Sequence, residues 1–172
     1  MKKLHLFMGL FFSLLVSAYA QKPAGAEWTS MDKSLAAVTN QKFILVDIVA
    51  PWCGWCKKMD ETTFTDATVS DMLSKNFVAV KLDAEAEAPI TFNGQTYGLV
   101  QNGTRKANQL ALEMGKVNGR LGYPTLVIMD TKGNKIQAFP GYKDAETLNV
   151  LLKYFLSDSY KTMDFQQFQS GQ

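Results

Sequence analysis

An apolar run that leads directly into a pair of cysteines constrains this chain more than any other feature of its sequence. Residues 43–49 (Phe-Ile-Leu-Val-Asp-Ile-Val) are aromatic, β-branched and almost continuously apolar, which is typical of a strand buried on both faces of a parallel sheet. Cys53-Gly54-Trp55-Cys56 follows at once, and a helix is predicted to begin at the first cysteine and to end near Thr62. Any fold for this chain must therefore place a Cys-x-x-Cys pair between a buried strand and a helix.

The remaining pattern predicts an α/β domain with a central mixed sheet flanked by helices. Helix, strand, helix and strand alternate in the first half, which implies a right-handed parallel crossover. Helices are predicted over 28–40, 67–75, 105–116 and 144–156. Further strands are predicted over 77–82, 126–129 and 135–139, the last two antiparallel across a turn. Asn93-Gly94 signals a hairpin within the polar segment 84–104, and the tail 157–172 is predicted to pack as a short helix or to stay loose.

The first 20 residues are predicted to be a secretory signal peptide, because Lys2 and Lys3 precede an apolar run and a small-x-small site that ends at Ala20. We therefore expect a periplasmic or secreted protein with a flexible lead-in over 21–27. Without those two lysines, 16 basic residues balance 16 acidic ones, which argues against nucleic-acid binding and electrostatic membrane docking. The one histidine, His5, would be lost too, which removes His-dependent catalysis and the commonest metal ligand.

The cysteine pair is interpreted as a redox site. Residues i and i+3 of a helix share one face, so Cys53 would lie exposed at the helix tip and Cys56 one turn inward. Unpaired N–H groups and the helix dipole favour a thiolate there, and such thiols have pKa values of roughly 3.5–7.5 against about 8.5 for free cysteine. Cys53 is thus predicted to be the nucleophile and Cys56 the resolving thiol.

Other uses of the pair fit the sequence less well. A structural disulfide that closes about four residues would contribute only ~2 kcal/mol. Zinc would need two carboxylates or a partner chain beside the two thiolates, and haem attachment needs a histidine where Lys57 stands. A fold that keeps the pair without catalysis is the remaining alternative.

Three separated segments resemble the thioredoxin-like family, and most closely its exported bacterial members with a Trp-Cys-Gly-Trp-Cys-Lys active site. Residues 45–57 resemble the family's strand and active-site helix, residues 77–83 its next strand, and Tyr123-Pro124-Thr125-Leu126 with Gly133 and Gly141 its cis-proline loop and final hairpin. The resemblance implies a thioredoxin-like fold over 28–156. An insertion at about 84–104, which contains the Asn93-Gly94 hairpin, would precede the cis-proline loop.

The resemblance also assigns roles to single residues. Asp47 matches a buried acid that would accept a proton from Cys56 through water, and Lys81 matches a lysine that would tune it. A purely structural aspartate and a lysine that projects to solvent are the alternatives. Pro124 matches the cis-proline that faces the cysteines, and Tyr123 before it would pair its backbone with an extended substrate segment.

Both tryptophans beside the nucleophile are substrate-binding candidates in the same comparison. Trp52 and Trp55 would contact substrate, with core packing as the alternative, above all for Trp52. The Asn93-Gly94 hairpin is expected either to rim the cleft and narrow the choice of partner or to be a surface feature without a role.

The function implied by the resemblance is thiol–disulfide exchange with exported proteins, with the Cys53–Cys56 disulfide as the redox group and no other cofactor or metal. Gly54-Trp55 stands where oxidising relatives carry a histidine, which favours the reducing direction and implies a membrane electron donor of the disulfide-reductase type. A disulfide oxidase or isomerase with the same residues, or a module that binds clients without turnover, are the alternatives.

Overall fold

Nine strands and five α-helices make up residues 26–171, the part of the chain that this computed structural model describes. The strands are β1 (Trp28–Thr29), β2 (Phe43–Val49), β3 (Phe77–Asp83), β4 (Ile90–Phe92), β5 (Gln95–Tyr97), β6 (Leu99–Asn102), β7 (Arg105–Asn108), β8 (Thr125–Met129) and β9 (Lys135–Pro140). The helices are α1 (Gly54–Lys58), α2 (Ala67–Asn76), α3 (Gln109–Gly115), α4 (Ala145–Leu156) and α5 (Phe165–Ser170). The predicted signal peptide at 1–20 lies outside the described residues.

Five strands form one mixed sheet in the order β1-β3-β2-β8-β9. Strands β1, β3 and β2 run parallel, whereas β8 is antiparallel to β2 and β9 to β8. The central strands are apolar on both faces because each face is covered. Leu45, Ala79 and Leu126 face a core with α2 and α4, and Val46, Val80 and Val127 face a second core with α3. The predicted mixed α/β architecture is confirmed.

Two predicted helices differ from the structure. Residues 28–40 were expected to be one helix, but Trp28 and Thr29 pair with the edge of β3, and only a 3-10 turn (Met31–Lys33) follows. The edge of β3 offers unpaired backbone groups, and pairing with them outweighs a helical pattern that lacks a side-chain cap at Ser30. The helix predicted from residue 105 begins at Gln109, because the Asn108 side chain caps it by accepting from Leu110 N–H.

The Asn93-Gly94 hairpin forms as predicted, with β4 paired to β5 and both turn residues at positive φ. The tip of this hairpin lies at the end of the sheet opposite the cysteines. The Phe92 ring lies against Gly133, in the turn between β8 and β9, whereas the cysteines follow the opposite end of β2. The expectation that this hairpin rims the cleft is therefore wrong, because Phe92 is drawn into the core at the far end.

A second hairpin, β6–β7, lies at the end of the sheet where the cysteines are. Ala84 N–H donates to the Val49 carbonyl at 2.9 Å, and Asn108 N–H donates to the Ala84 carbonyl at 2.6 Å. These bonds fix the base of the hairpin directly beside the end of β2.

The C-terminal tail packs as a short helix, one of the two outcomes expected for it. The Tyr154 hydroxyl donates to the Met163 carbonyl at 2.6 Å, and the rings of Phe165 and Phe168 contact the Tyr154 ring. Asp164 and Gln167 form a capping box at the start of α5. Among residues 26–171, no helix is long and apolar enough to cross a membrane.

Candidate active site

The cysteine pair lies where β2 ends and α1 begins. Cys53 is the N-cap of α1 and is joined to Cys56 by a disulfide, with their Cα atoms 5.3 Å apart. Cys56 N–H donates to Cys53 Sγ at 3.0 Å. Cys53 therefore sits on the open N–H groups of the helix start, and a hydrogen bond to its sulfur favours the charged form of a thiol.

Cys53 is more buried than the sequence predicted. Its exposed fraction is 4%, against 3% for Cys56, so the expectation of an exposed helix tip is wrong for the disulfide form. The two cysteines form a small cluster with Ala50, and Val49 and Tyr123 pack against it. Exposure therefore does not distinguish the two sulfurs, whereas their positions on the helix do.

Two aromatic pairs stand beside the disulfide. The Trp52 ring meets the Tyr123 ring edge-on at 5.6 Å, and the Trp55 ring meets that of Tyr142 at 5.1 Å. Trp52 is 52% exposed and Trp55 62% exposed, so neither packs into the core. The structure thus places a large exposed apolar surface beside Cys53, and exposed apolar patches are a feature of interaction sites.

Tyr123 presents its backbone beside the cysteines. The Tyr123–Pro124 peptide bond is cis. The Pro124 carbonyl accepts from Gly141 N–H at 2.8 Å, but the N–H and carbonyl of Tyr123 make no hydrogen bond within residues 26–171. They are available to an extended peptide, which is the geometry of β-strand addition.

Asp47 and Lys81 face each other in the sheet, as the parallel register of β2 and β3 requires. Lys81 Nζ donates to Asp47 Oδ2 at 2.8 Å and also to Asp60 Oδ1, in the π-helical segment (Met59–Thr63) that follows α1. The rings of Trp28 and Phe64 cover the ammonium, with their centroids 4.1 and 5.0 Å away. Lys81 therefore reaches the buried acid instead of projecting freely to solvent.

The carboxyl group of Asp47 is fully buried, and its Oδ1 has no hydrogen-bond partner among the described residues. Burial raises the pKa of Asp47 to about 6, and Lys81 limits the rise. A carboxylate with a raised pKa is a better proton acceptor near neutral pH than an ordinary aspartate.

Four residues near these groups escaped the sequence analysis. Asp60 follows Cys56 by four positions, which is a same-face helical spacing and could have indicated it. Arg105 lies in the β6–β7 hairpin and Glu85 precedes it. This hairpin was not predicted from the sequence, although Asn102-Gly103 repeats the dipeptide of the first one. Tyr142 had no local signal, because only the fold brings it to Trp55.

Comparison with known proteins shows that this chain is similar to thioredoxin-like proteins. A model of the family "Thioredoxin-like domain" matches residues 30–156. A protein disulfide-isomerase of Datisca glomerata is 29% identical over 151 residues, which span 86% of this chain and 25% of that protein. The thiol:disulfide interchange protein DsbD of Pectobacterium atrosepticum is 28% identical over 126 residues, which span 72% of this chain and 18% of that protein.

A solved structure supports the fold. A thioredoxin-fold protein from Helicobacter pylori superposes with a TM-score of 0.55 at 16% identity, over 84% of this chain and 83% of that one. This chain spans a quarter or less of the length of the two curated relatives above, and the likeness concerns only that part of each.

Proposed function

As the chain belongs to the thioredoxin-like family, we propose that it is a thiol–disulfide oxidoreductase that reduces disulfides of exported proteins. One observation carries the proposal: Cys53 and Cys56 are disulfide-bonded within one helical turn, with Cys53 at the N-cap. The reversible bond is the redox group, so the reaction needs no other cofactor.

The first chemical step is attack by the Cys53 thiolate on one sulfur of the client disulfide. The client S–S bond breaks, its second sulfur leaves as a thiolate and takes up a proton, and a mixed disulfide to Cys53 forms. The client would approach between the two aromatic pairs and hydrogen-bond to the backbone of Tyr123.

The second step releases the client. Cys56 gives its proton to the carboxylate of Asp47, through water, and its thiolate attacks Cys53 Sγ. The mixed disulfide breaks, the client leaves as a dithiol, and the Cys53–Cys56 bond forms with the two electrons passed to the client. Lys81 and Asp60 would keep Asp47 oriented and connected to the surface. A dithiol donor must then reduce the pair again; a membrane disulfide reductase would serve in an oxidising compartment.

Turnover of insulin is the test of this function. With dithiothreitol as donor, the protein is expected to accelerate insulin reduction, followed as precipitation of the free B chain, and Cys53→Ser is expected to lose the acceleration completely. Equal rates with and without the wild-type protein would instead support a module that binds clients without turnover.

The reduction potential decides the direction. A value of about −270 mV would support a reductase. A value of about −180 mV would support an isomerase, and a value of about −120 mV an oxidase. The isomerase direction is the second candidate because a relative at 29% identity bears that name. We expect a value closer to the first, since no histidine between the cysteines stabilises the thiolate.

A further inference from the structure

Arg105 brings a positive charge to the edge of the active site. Its guanidinium lies over the Trp52 ring at 4.6 Å, and its Nη1 is 3.9 Å from Glu85 Oε1. Glu85 in turn accepts from Trp52 Nε1 at 3.0 Å. Arg105 thus covers the face of the Trp52 indole beside Cys53, and Glu85 accepts from its N–H.

A shallow groove of about 250 Å³ opens between this cluster and Tyr123. Its lining includes Trp52, Tyr123 and three charged residues, Glu85, Arg105 and Lys106. Trp52 and Tyr123 belong both to the groove and to the aromatic pair beside the disulfide. The groove is therefore continuous with the place where a client disulfide would lie.

The exposed charge of the groove is positive. The side chain of Arg105 is 59% exposed and Lys106 is exposed, whereas the only acidic residue among the lining residues, Glu85, is largely covered and already receives the Trp52 indole N–H. Apart from the ion pair with Glu85 at 3.9 Å, the side chain of Arg105 makes no hydrogen bond within residues 26–171, so its N–H donors can still bind a further acceptor. Such a guanidinium is suited to a carboxylate.

We propose that this groove receives an extended client segment, and that Arg105 makes the protein act fastest on disulfides flanked by an acidic residue. The inference rests on the proposed function. An extended segment advances about 3.3 Å per residue. Because only the indole of Trp52 separates Arg105 from the cysteine end of the groove, the acidic residue would lie within about three residues of the attacked cysteine.

The test uses two peptides, each with one internal disulfide. Their sequences are identical except at the residues that flank the cysteines, which are Glu in one peptide and Lys in the other. The fully reduced protein is mixed with each peptide, and the second-order rate of its oxidation is followed by tryptophan fluorescence. We expect the Glu peptide to react about threefold to tenfold faster at low ionic strength, with a smaller ratio in high salt. Arg105→Gln should bring the ratio close to one, and Arg105→Lys should retain most of it.

Lys135→Gln is the matched control, because it removes one exposed positive charge at the opposite end of the sheet and should leave the ratio unchanged. Equal rates of both peptides with the wild-type protein would overturn the inference. So would an Arg105→Gln variant that slows both peptides equally, since that result would mean that Arg105 only holds Trp52. If the wild-type protein oxidises with neither peptide, the proposed function fails, and the inference fails with it.

Discussion

Replacing Cys56 by alanine is expected to stop turnover at the mixed disulfide and to leave the protein covalently joined to its clients. The chain has two cysteines, so no other thiol of the protein can attack Cys53 Sγ once Cys56 is gone, and trapping is carried out without a dithiol donor. Turnover of insulin should fall by about 10³-fold or more. Adducts should accumulate that migrate as one species on non-reducing gels and separate on reduction, and mass spectrometry of the adducts would identify the clients.

Cys53→Ala is the matched control for this experiment, since it keeps the other cysteine of the pair. Cys56 lies within α1, whereas Cys53 is its N-cap, so this variant should form few adducts or none. Adducts in the Cys53→Ala variant and none in the Cys56→Ala variant would reverse the two roles. Adducts in neither variant would contradict the exchange mechanism.

The variant Asp47→Asn is expected to become more stable than the wild-type protein as the pH rises. The unfolded chain has an aspartate pKa near 3.9, whereas the folded protein raises that of Asp47 to about 6. The folded state therefore holds the proton more tightly, and wild-type stability falls as the pH rises through this window. At pH values well above 6, ionisation of Asp47 lowers the free energy of unfolding by about 3 kcal/mol. Asparagine does not titrate and escapes this cost.

Denaturant unfolding of the oxidised protein at pH 4 and at pH 7.5 measures this effect. The stability difference between Asp47→Asn and wild type should grow by about 2 kcal/mol between the two pH values. Asp71→Asn, at an exposed aspartate paired with Lys75, should change by less than about 0.5 kcal/mol. A difference that does not change with pH would mean that Asp47 is ionised in the folded state as easily as in the unfolded chain.

The same variant separates a catalytic from a structural role of Asp47. If Asp47 accepts the proton of Cys56, Asp47→Asn should slow release of the client by about 10²-fold near pH 7, with less effect at high pH, where Cys56 ionises unaided. An unchanged release rate would leave Asp47 with a structural role only.

The centre of the fold was predictable because its signals are local and mutually consistent. Apolar runs identified β2 and β3, and the parallel register that follows from them sets Lys81 beside Asp47. The position of Cys53 at a helix start also followed from its distance from β2. The family resemblance placed Pro124, which no local pattern would have joined to the cysteines.

The surroundings of the cysteines depend on tertiary contacts that the sequence does not encode locally. A hairpin was predicted at Asn93-Gly94 and none at Asn102-Gly103, although both dipeptides form one, and the contact of Phe92 with Gly133 places the first at the far end of the sheet. The other hairpin, with Arg105, then borders Trp52. The burial of Cys53 has the same origin, since Tyr123 comes from a loop seventy residues later.

The central claim is that the reduced protein presents Cys53 as a thiolate near neutral pH, and the pH dependence of its alkylation tests this most directly. The reduced protein is treated with iodoacetamide between pH 4 and 10, and modification of each cysteine is followed by mass spectrometry, with Cys56 as the internal control. Cys53 should react at least about tenfold faster than Cys56, with a rate that is half-maximal below about pH 7.5. The account would be contradicted if the rate were half-maximal at about pH 8.5, the pKa of free cysteine, or if Cys53 reacted only after unfolding.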